Sequence, residues 1–100
     1  MSPLNGNSIH AVLQLAGVPG LESRPAIRQE PGYAGEERYV VSTPETRLLL
    51  VRYPPFARER AHREAVGLRL ASGVGLGPEL LMVDETGKAL GAPVVAYAAP

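Results

Sequence analysis

Arg47-Leu48-Leu49-Leu50-Val51-Arg52-Tyr53-Pro54-Pro55 is a run of aliphatic and aromatic side chains closed by two prolines. Such a run favours an extended strand, and the prolines end it because they cannot donate to a ladder. Alternation puts Leu48, Leu50 and Arg52 on one face and Leu49, Val51 and Tyr53 on the other. Upstream, Glu37 to Thr43 has the same character, and Pro44-Glu45-Thr46 is a turn-prone joint, so the two segments read as a β-hairpin. If the hairpin turn is even-numbered, Tyr39 and Val41 share the face of Leu48 and Leu50. Downstream, Phe56 to Ser72 is dominated by Ala, Arg, Glu and Leu, which predicts a long helix with Gly73 in the C′ position.

Working outward, Ile9, Val12, Leu13 and Ala16 recur at helical spacing, with Asn7 or Ser8 placed to cap and Gly17 to stop a short helix over Ser8 to Ala16. Gly17 to Pro25 is a connection. Ala26 to Glu30 is a first strand, ended by the turn signal Pro31-Gly32-Tyr33-Ala34-Gly35. After the long helix, Val74-Gly75-Leu76-Gly77-Pro78 is a loop. Leu80 to Asp84 and Pro93 to Tyr97 are strands joined through a reverse turn at Glu85-Thr86-Gly87-Lys88. The expected fold is therefore α+β: a five-stranded antiparallel sheet with one main helix on its face, plus the short N-terminal helix. Residues 1–25 form the helix and connection, and 26–100 the sheet domain.

Composition narrows the function classes. One hundred residues, 45% of them hydrophobic, suffice for one small domain with a modest core. Ten basic and ten acidic residues cancel, so no net field recruits nucleic acid or a membrane surface. The basic run Arg58, Arg60, His62, Arg63 is interleaved with Glu59 and Glu64 and reads as an ion-paired helix face. There is no cysteine, and two separated histidines, His10 and His62, make no zinc site. No apolar stretch is long enough to span a bilayer and no signal peptide is evident, so a soluble, cytoplasmic protein is expected.

The candidate chemistry centres on one cation and one carboxylate. On the long helix Ala57, Ala61, Ala65, Leu68 and Ser72 form one stripe, flanked by Glu64. A carboxylate beside an apolar stripe is costly without a cation, and Arg52 is the candidate partner. The alternatives are an Arg52 that reaches solvent past its neighbours and a Glu64 paired within its own helix, as with Arg60. Val66 and Leu70 lie on the opposite side and are expected to touch the leading helix or another chain. Gly32 and Gly35 could bring backbone N–H groups close to phosphates, although most such turns are only turns. Gly73, Gly75 and Gly77 suit a helix end and connector. No nucleophile elbow, zinc-protease or Walker motif is present.

These parts, in this order, resemble the N-terminal lobe of the aminoglycoside phosphotransferase and choline kinase-like family, relatives of the protein kinases. The resemblance covers about Ala26 to Pro100: Gly32-Tyr33-Ala34-Gly35-Glu36-Glu37-Arg38-Tyr39-Val40-Val41, Leu49-Leu50-Val51-Arg52, Arg63-Glu64-Ala65-Val66-Gly67-Leu68, Gly77-Pro78-Glu79-Leu80-Leu81 and Pro93-Val94-Val95-Ala96-Tyr97. It implies an ATP site in which Arg52 replaces the usual lysine, holding phosphates and pairing with Glu64. It further implies that Gly32 and Gly35 lie in the phosphate loop, that Tyr39, Val41 and Leu50 cover the adenine, and that the backbone of Ala96, Tyr97, Ala98 and Ala99 hydrogen-bonds it. Arginine is not equivalent to lysine, and the loop departs from Gly-x-Gly-x-x-Gly. The family's catalytic Asp and Asn and its metal-binding Asp belong to a C-terminal lobe, so no catalytic residue and no metal ligand is assigned here, and Mg2+ is expected only with that lobe. Asp84, the one aspartate, sits in a turn.

The implied function is that of the ATP-binding lobe of a small-molecule kinase, one that transfers the γ-phosphate to a substrate hydroxyl in a full-length protein and is not catalytic by itself. The expected partners are nucleotide and, through the other lobe, a hydroxyl substrate; no nucleic acid or membrane partner is expected. The isolated lobe is expected to form a homo-oligomer through the face of Tyr39, Val41, Leu48 and Leu50, or through the Val66 and Leu70 side of the helix. The alternative is a stand-alone, non-catalytic module for self-association or partner binding.

Overall fold

The computed structural model describes residues 6–33 and 35–99; Ala34 of the expected phosphate loop and Pro100 at the end of the expected hinge segment lie outside the described residues. The elements run α1 (Gly6–Leu15), β1 (Ala26–Glu30), β2 (Glu37–Ser42), β3 (Arg47–Arg52), α2 (Arg58–Gly73), β4 (Leu80–Asp84) and β5 (Val94–Ala98). The five strands form one antiparallel sheet in the order β1-β2-β3-β5-β4. The fold is thus the expected α+β arrangement, with each strand within a residue or so of its predicted span.

The hairpin register pairs Tyr39 with Leu50 and Val41 with Leu48, so the predicted common face exists. Its cover is a helix that nothing local in the sequence assigns to it. Ile9 and Leu13 of α1, with Val12 beside them, and Val18, Leu21 and Leu90 pack onto Tyr39, Val41, Leu48, Leu50, Val94 and Ala96 to make one core. On the opposite face Val51, Tyr53 and Val95 pack against Ala61 and Ala65 of α2, with Ala57 and Leu68 at the margin. The molecule is therefore layered α1–sheet–α2. A strand shared by two cores has to be apolar on both faces, which is why Leu48 to Val51 reads as a continuous run and not as an alternating one.

The helix ends follow backbone chemistry. At the end of α1, Gly17 N–H donates to Gln14 O and Val18 N–H to Leu13 O, both 3.0–3.1 Å, with Gly17 at φ +78°. This is a Schellman closure with Val18 folded back toward Leu13 in the core, and it places the stop where the sequence did. At the end of α2 the same pair of bonds runs from Gly75 to Ser72 O and from Leu76 to Ala71 O. The left-handed residue there is Gly75, at φ +74°, and Gly73 remains helical. The predicted C′ position was two residues early, because Ser72 and Gly73 continue the turn that the loop glycine closes.

Candidate functional site

Arg52 lies on the α1 side of the sheet and is 5% exposed. Its Nε and Nη2 donate to Glu37 Oε2 at 3.1 and 2.6 Å, and its Nη1 donates to the carbonyl of Leu90 at 2.9 Å. The other carboxylate oxygen, Glu37 Oε1, accepts from the Tyr39 hydroxyl at 2.5 Å. The expected Arg52–Glu64 pair is therefore replaced by Arg52–Glu37. The reason is parity. Val51 and Tyr53 face α2, so Arg52 between them must face away from it, while Glu64 is exposed on α2. Glu37 escaped sequence reasoning although the signal was present, because the register that aligns Tyr39 with Leu50 also sets Glu37 opposite Arg52.

The residues expected to cover a base, Tyr39, Val41 and Leu50, are buried beneath α1. They form a platform next to Arg52, but in this conformation helix and not ligand covers it. This also removes that face as the expected self-association surface. The same geometry separates α1 from the back of α2, so the leading helix does not cover Val66 and Leu70, which are exposed.

Gly32 and Gly35 bracket the turn between β1 and β2. A Cβ on Gly32 would lie 1.7 Å from the carbonyl oxygen of Glu36, so the turn's own return path demands glycine there whether or not a ligand approaches. Gly35 adopts φ +85° against Pro54, and Glu36 N–H donates to Tyr33 O at 3.1 Å to close the turn.

On the α2 side the turn leads into a polar cluster that the sequence did not reveal. Glu36 lies 3.6 Å from Arg38 Nη1 and 3.3 Å from Arg60 Nε. Arg38 Nη2 donates to the Tyr97 hydroxyl at 3.5 Å, and the Arg60 guanidinium sits over the Tyr53 ring at 5.8 Å. Burial, followed by the charges of Glu64 and Glu36, pushes the Tyr53 phenol far above its ordinary range. Burial likewise raises Tyr97, with Arg38 opposing. The charge of Glu64 thus acts on these tyrosines, while Arg52 pairs with Glu37.

At the far end of β5 the expected hinge amides are occupied. Ala98 N–H donates to Glu79 O and Ala99 N–H to Arg47 O, both 2.9 Å, because β5 lies between β3 and β4 and both of its edges are paired. These amides cannot serve an adenine in this form. Beside them Tyr97, Ala98, Ala99, Leu76 and Pro78 line a cavity of about 560 Å³. Asp84 is engaged as well. Its Oδ1 accepts from Thr86 N–H and Oγ1, and its Oδ2 from Ala89 N–H. Burial raises its carboxyl, but these bonds outweigh that and hold it below its ordinary range. Among the described residues no group of His, Cys, Asp or Glu could hold a metal ion, and no helix is long and apolar enough to cross a membrane.

Beside α2, the exposed His62 ring is held by Glu85, its Nδ1 lying 2.7 Å from Glu85 Oε1. No protein-family model, curated protein or solved structure matches this chain.

Proposed function

We propose that the chain is the nucleotide-holding lobe of a small-molecule kinase of the aminoglycoside phosphotransferase-like type, working in the cytoplasm. One observation carries the reading: a single face of the antiparallel sheet presents Tyr39, Val41 and Leu50 as an apolar platform with the cation Arg52 at its end, in an order of elements that puts the long helix between β3 and β4. A flat apolar platform beside a guanidinium suits a purine carrying phosphates. Phosphoryl transfer needs a base and metal ligands as well as a phosphate clamp. Those belong to a second lobe, which would also choose the hydroxyl substrate and complete an Mg2+ site.

The test is an NMR titration of the chain with ATP and with MgATP. Saturable shifts at Tyr39, Leu50 and Arg52, with a Kd in the millimolar range and no phosphate release, are expected, since a covered platform lowers apparent affinity by the fraction of molecules that are open. Turnover by this chain alone, or tight binding that leaves those residues unshifted, overturns the assignment. In the gene, an in-frame His-x-Asp-x-x-x-x-Asn segment downstream, followed by a further Asp, supports it.

A second reading, a non-catalytic association module, is favoured by one observation. Val66 and Leu70, one turn apart on the outer side of α2, and Val74 just past its end are exposed, Leu70 at 69%. Aligned exposed apolar groups mark docking surfaces more often than scattered ones do.

A further inference from the structure

We infer that the segment 6–25 is a detachable strap that occupies the purine site and competes with adenine nucleotide for it; this rests on the nucleotide-lobe reading above. The segment carries hydrogen bonds of its own. Arg24 Nη2 donates to Asn7 Oδ1 at 2.8 Å, and His10 Nε2 and Gln14 Nε2 both donate to Leu21 O at 3.0 Å. Val18 N–H closes on Leu13 O at 3.1 Å. These four bonds span the segment from end to end and hold helix and connection together as one unit.

Its hold on the sheet is of another kind. Ile9, Leu13, Val18 and Leu21 meet the platform through apolar contact, and Thr43 Oγ1 donates to Gly20 O at 2.8 Å. The strands pair among themselves, β1 with β2 and β2 with β3, and α1 takes no place in that ladder. Lifting the strap therefore breaks no strand pairing and leaves the Val51, Tyr53, Ala61, Ala65 core intact on the opposite face.

What it uncovers is chemically apt. Tyr39, Val41, Leu48 and Leu50, each at most 2% exposed, become an open apolar face. The Arg52–Glu37 pair and the Leu90 carbonyl lie at its margin. A purine cannot reach this face while α1 is seated, so seating and base binding exclude each other, and the apparent nucleotide affinity is the intrinsic one scaled by the strap-open fraction. Openings of this sub-global type are recorded by hydrogen exchange.

The experiment uses the full chain and the variant Leu13→Ala, whose lost contacts raise the open fraction, with ATP as the probe. ATP should bind Leu13→Ala at least tenfold more tightly than the unaltered chain. In the unaltered chain, ATP should accelerate exchange of the α1 amides while those of β2 and β3 stay protected. Equal affinity in the two proteins, with α1 protected in the presence of ATP, overturns the strap and leaves the nucleotide reading standing. No ATP-dependent change in either protein overturns both. If Leu13→Ala fails to fold, exchange in the unaltered chain decides alone, since α1 amides that exchange only with global unfolding also overturn the strap.

Discussion

At the residue scale the decisive interaction is Arg52 with Glu37. A guanidinium this buried gains little net stability from being paired, but losing the Glu37 carboxylate strips the acceptor from two of its donors, Nε and Nη2, and removes a counter-charge beneath α1. Glu37→Ala should therefore cost about 3–5 kcal/mol. Glu64→Ala, on an exposed helix face, should stay within about 0.5 kcal/mol of the parent. Urea denaturation of the two variants measures this directly, and a larger cost at Glu64 would restore the strand–helix pair in solution. Tyr53 supplies a pH signature. Its folded-state pKa is raised above the ordinary 10.0 by burial first and by Glu64 and Glu36 next. The neutral phenol's contribution is thus complete below pH 10 and is lost as pH climbs from there toward the folded value. Tyr97 shifts in the same direction. Denaturation midpoints should fall above pH 10, and Tyr53→Phe should blunt that fall. An unchanged alkaline slope in Tyr53→Phe would place the titrating group elsewhere.

At the scale of elements, α2 combines a small-residue inner stripe with an avoidable weakness. Ala61 and Ala65 are fully buried against Val51, Tyr53 and Val95, so the helix sits close to the sheet because its contact side chains are short. In mid-helix, a methyl group added at Gly67 would meet nothing within 4 Å beyond the helix's own backbone. Gly67→Ala should then stabilise the protein by about 0.5–1 kcal/mol, by restricting the unfolded chain and restoring helix propensity. A thermal melt checks it, and destabilisation would mean that the glycine is needed for a contact across the back of the helix. Element type and span were legible because each run carries its own period: Leu80 to Asp84 was located to the residue, and the inner stripe of α2 was read correctly. The cap of α2 was not, since Gly73 and Gly75 are equally good glycines locally and only the closing bonds from Gly75 and Leu76 distinguish them.

At the scale of the whole molecule, the three layers leave the outer side of α2 as an uncovered apolar surface. While α1 is seated the platform of Tyr39, Val41, Leu48 and Leu50 is covered, so self-association of this form should pass through Val66, Leu70 and Val74. Light scattering at high concentration should report a dimer or larger assembly that Leu70→Glu returns to monomer; assembly insensitive to that change would locate the interface elsewhere. The sequence by itself determined the elements, their order and the antiparallel sheet, because periodicity and turn residues are local properties of the chain; the sharing of one face by Tyr39, Val41, Leu50 and Arg52 was fixed by the register that pairs Ser42 with Arg47. Only the tertiary structure decided which helix covers which face. Both helices are apolar on one side and both faces of the central strands are apolar, so nothing local assigns α1 to the platform or α2 to Val51 and Tyr53. That choice turned Arg52 away from Glu64 and toward Glu37, and it laid α1 across the surface where a purine was expected, because a charge and a helix each take the partner that the global packing brings within reach.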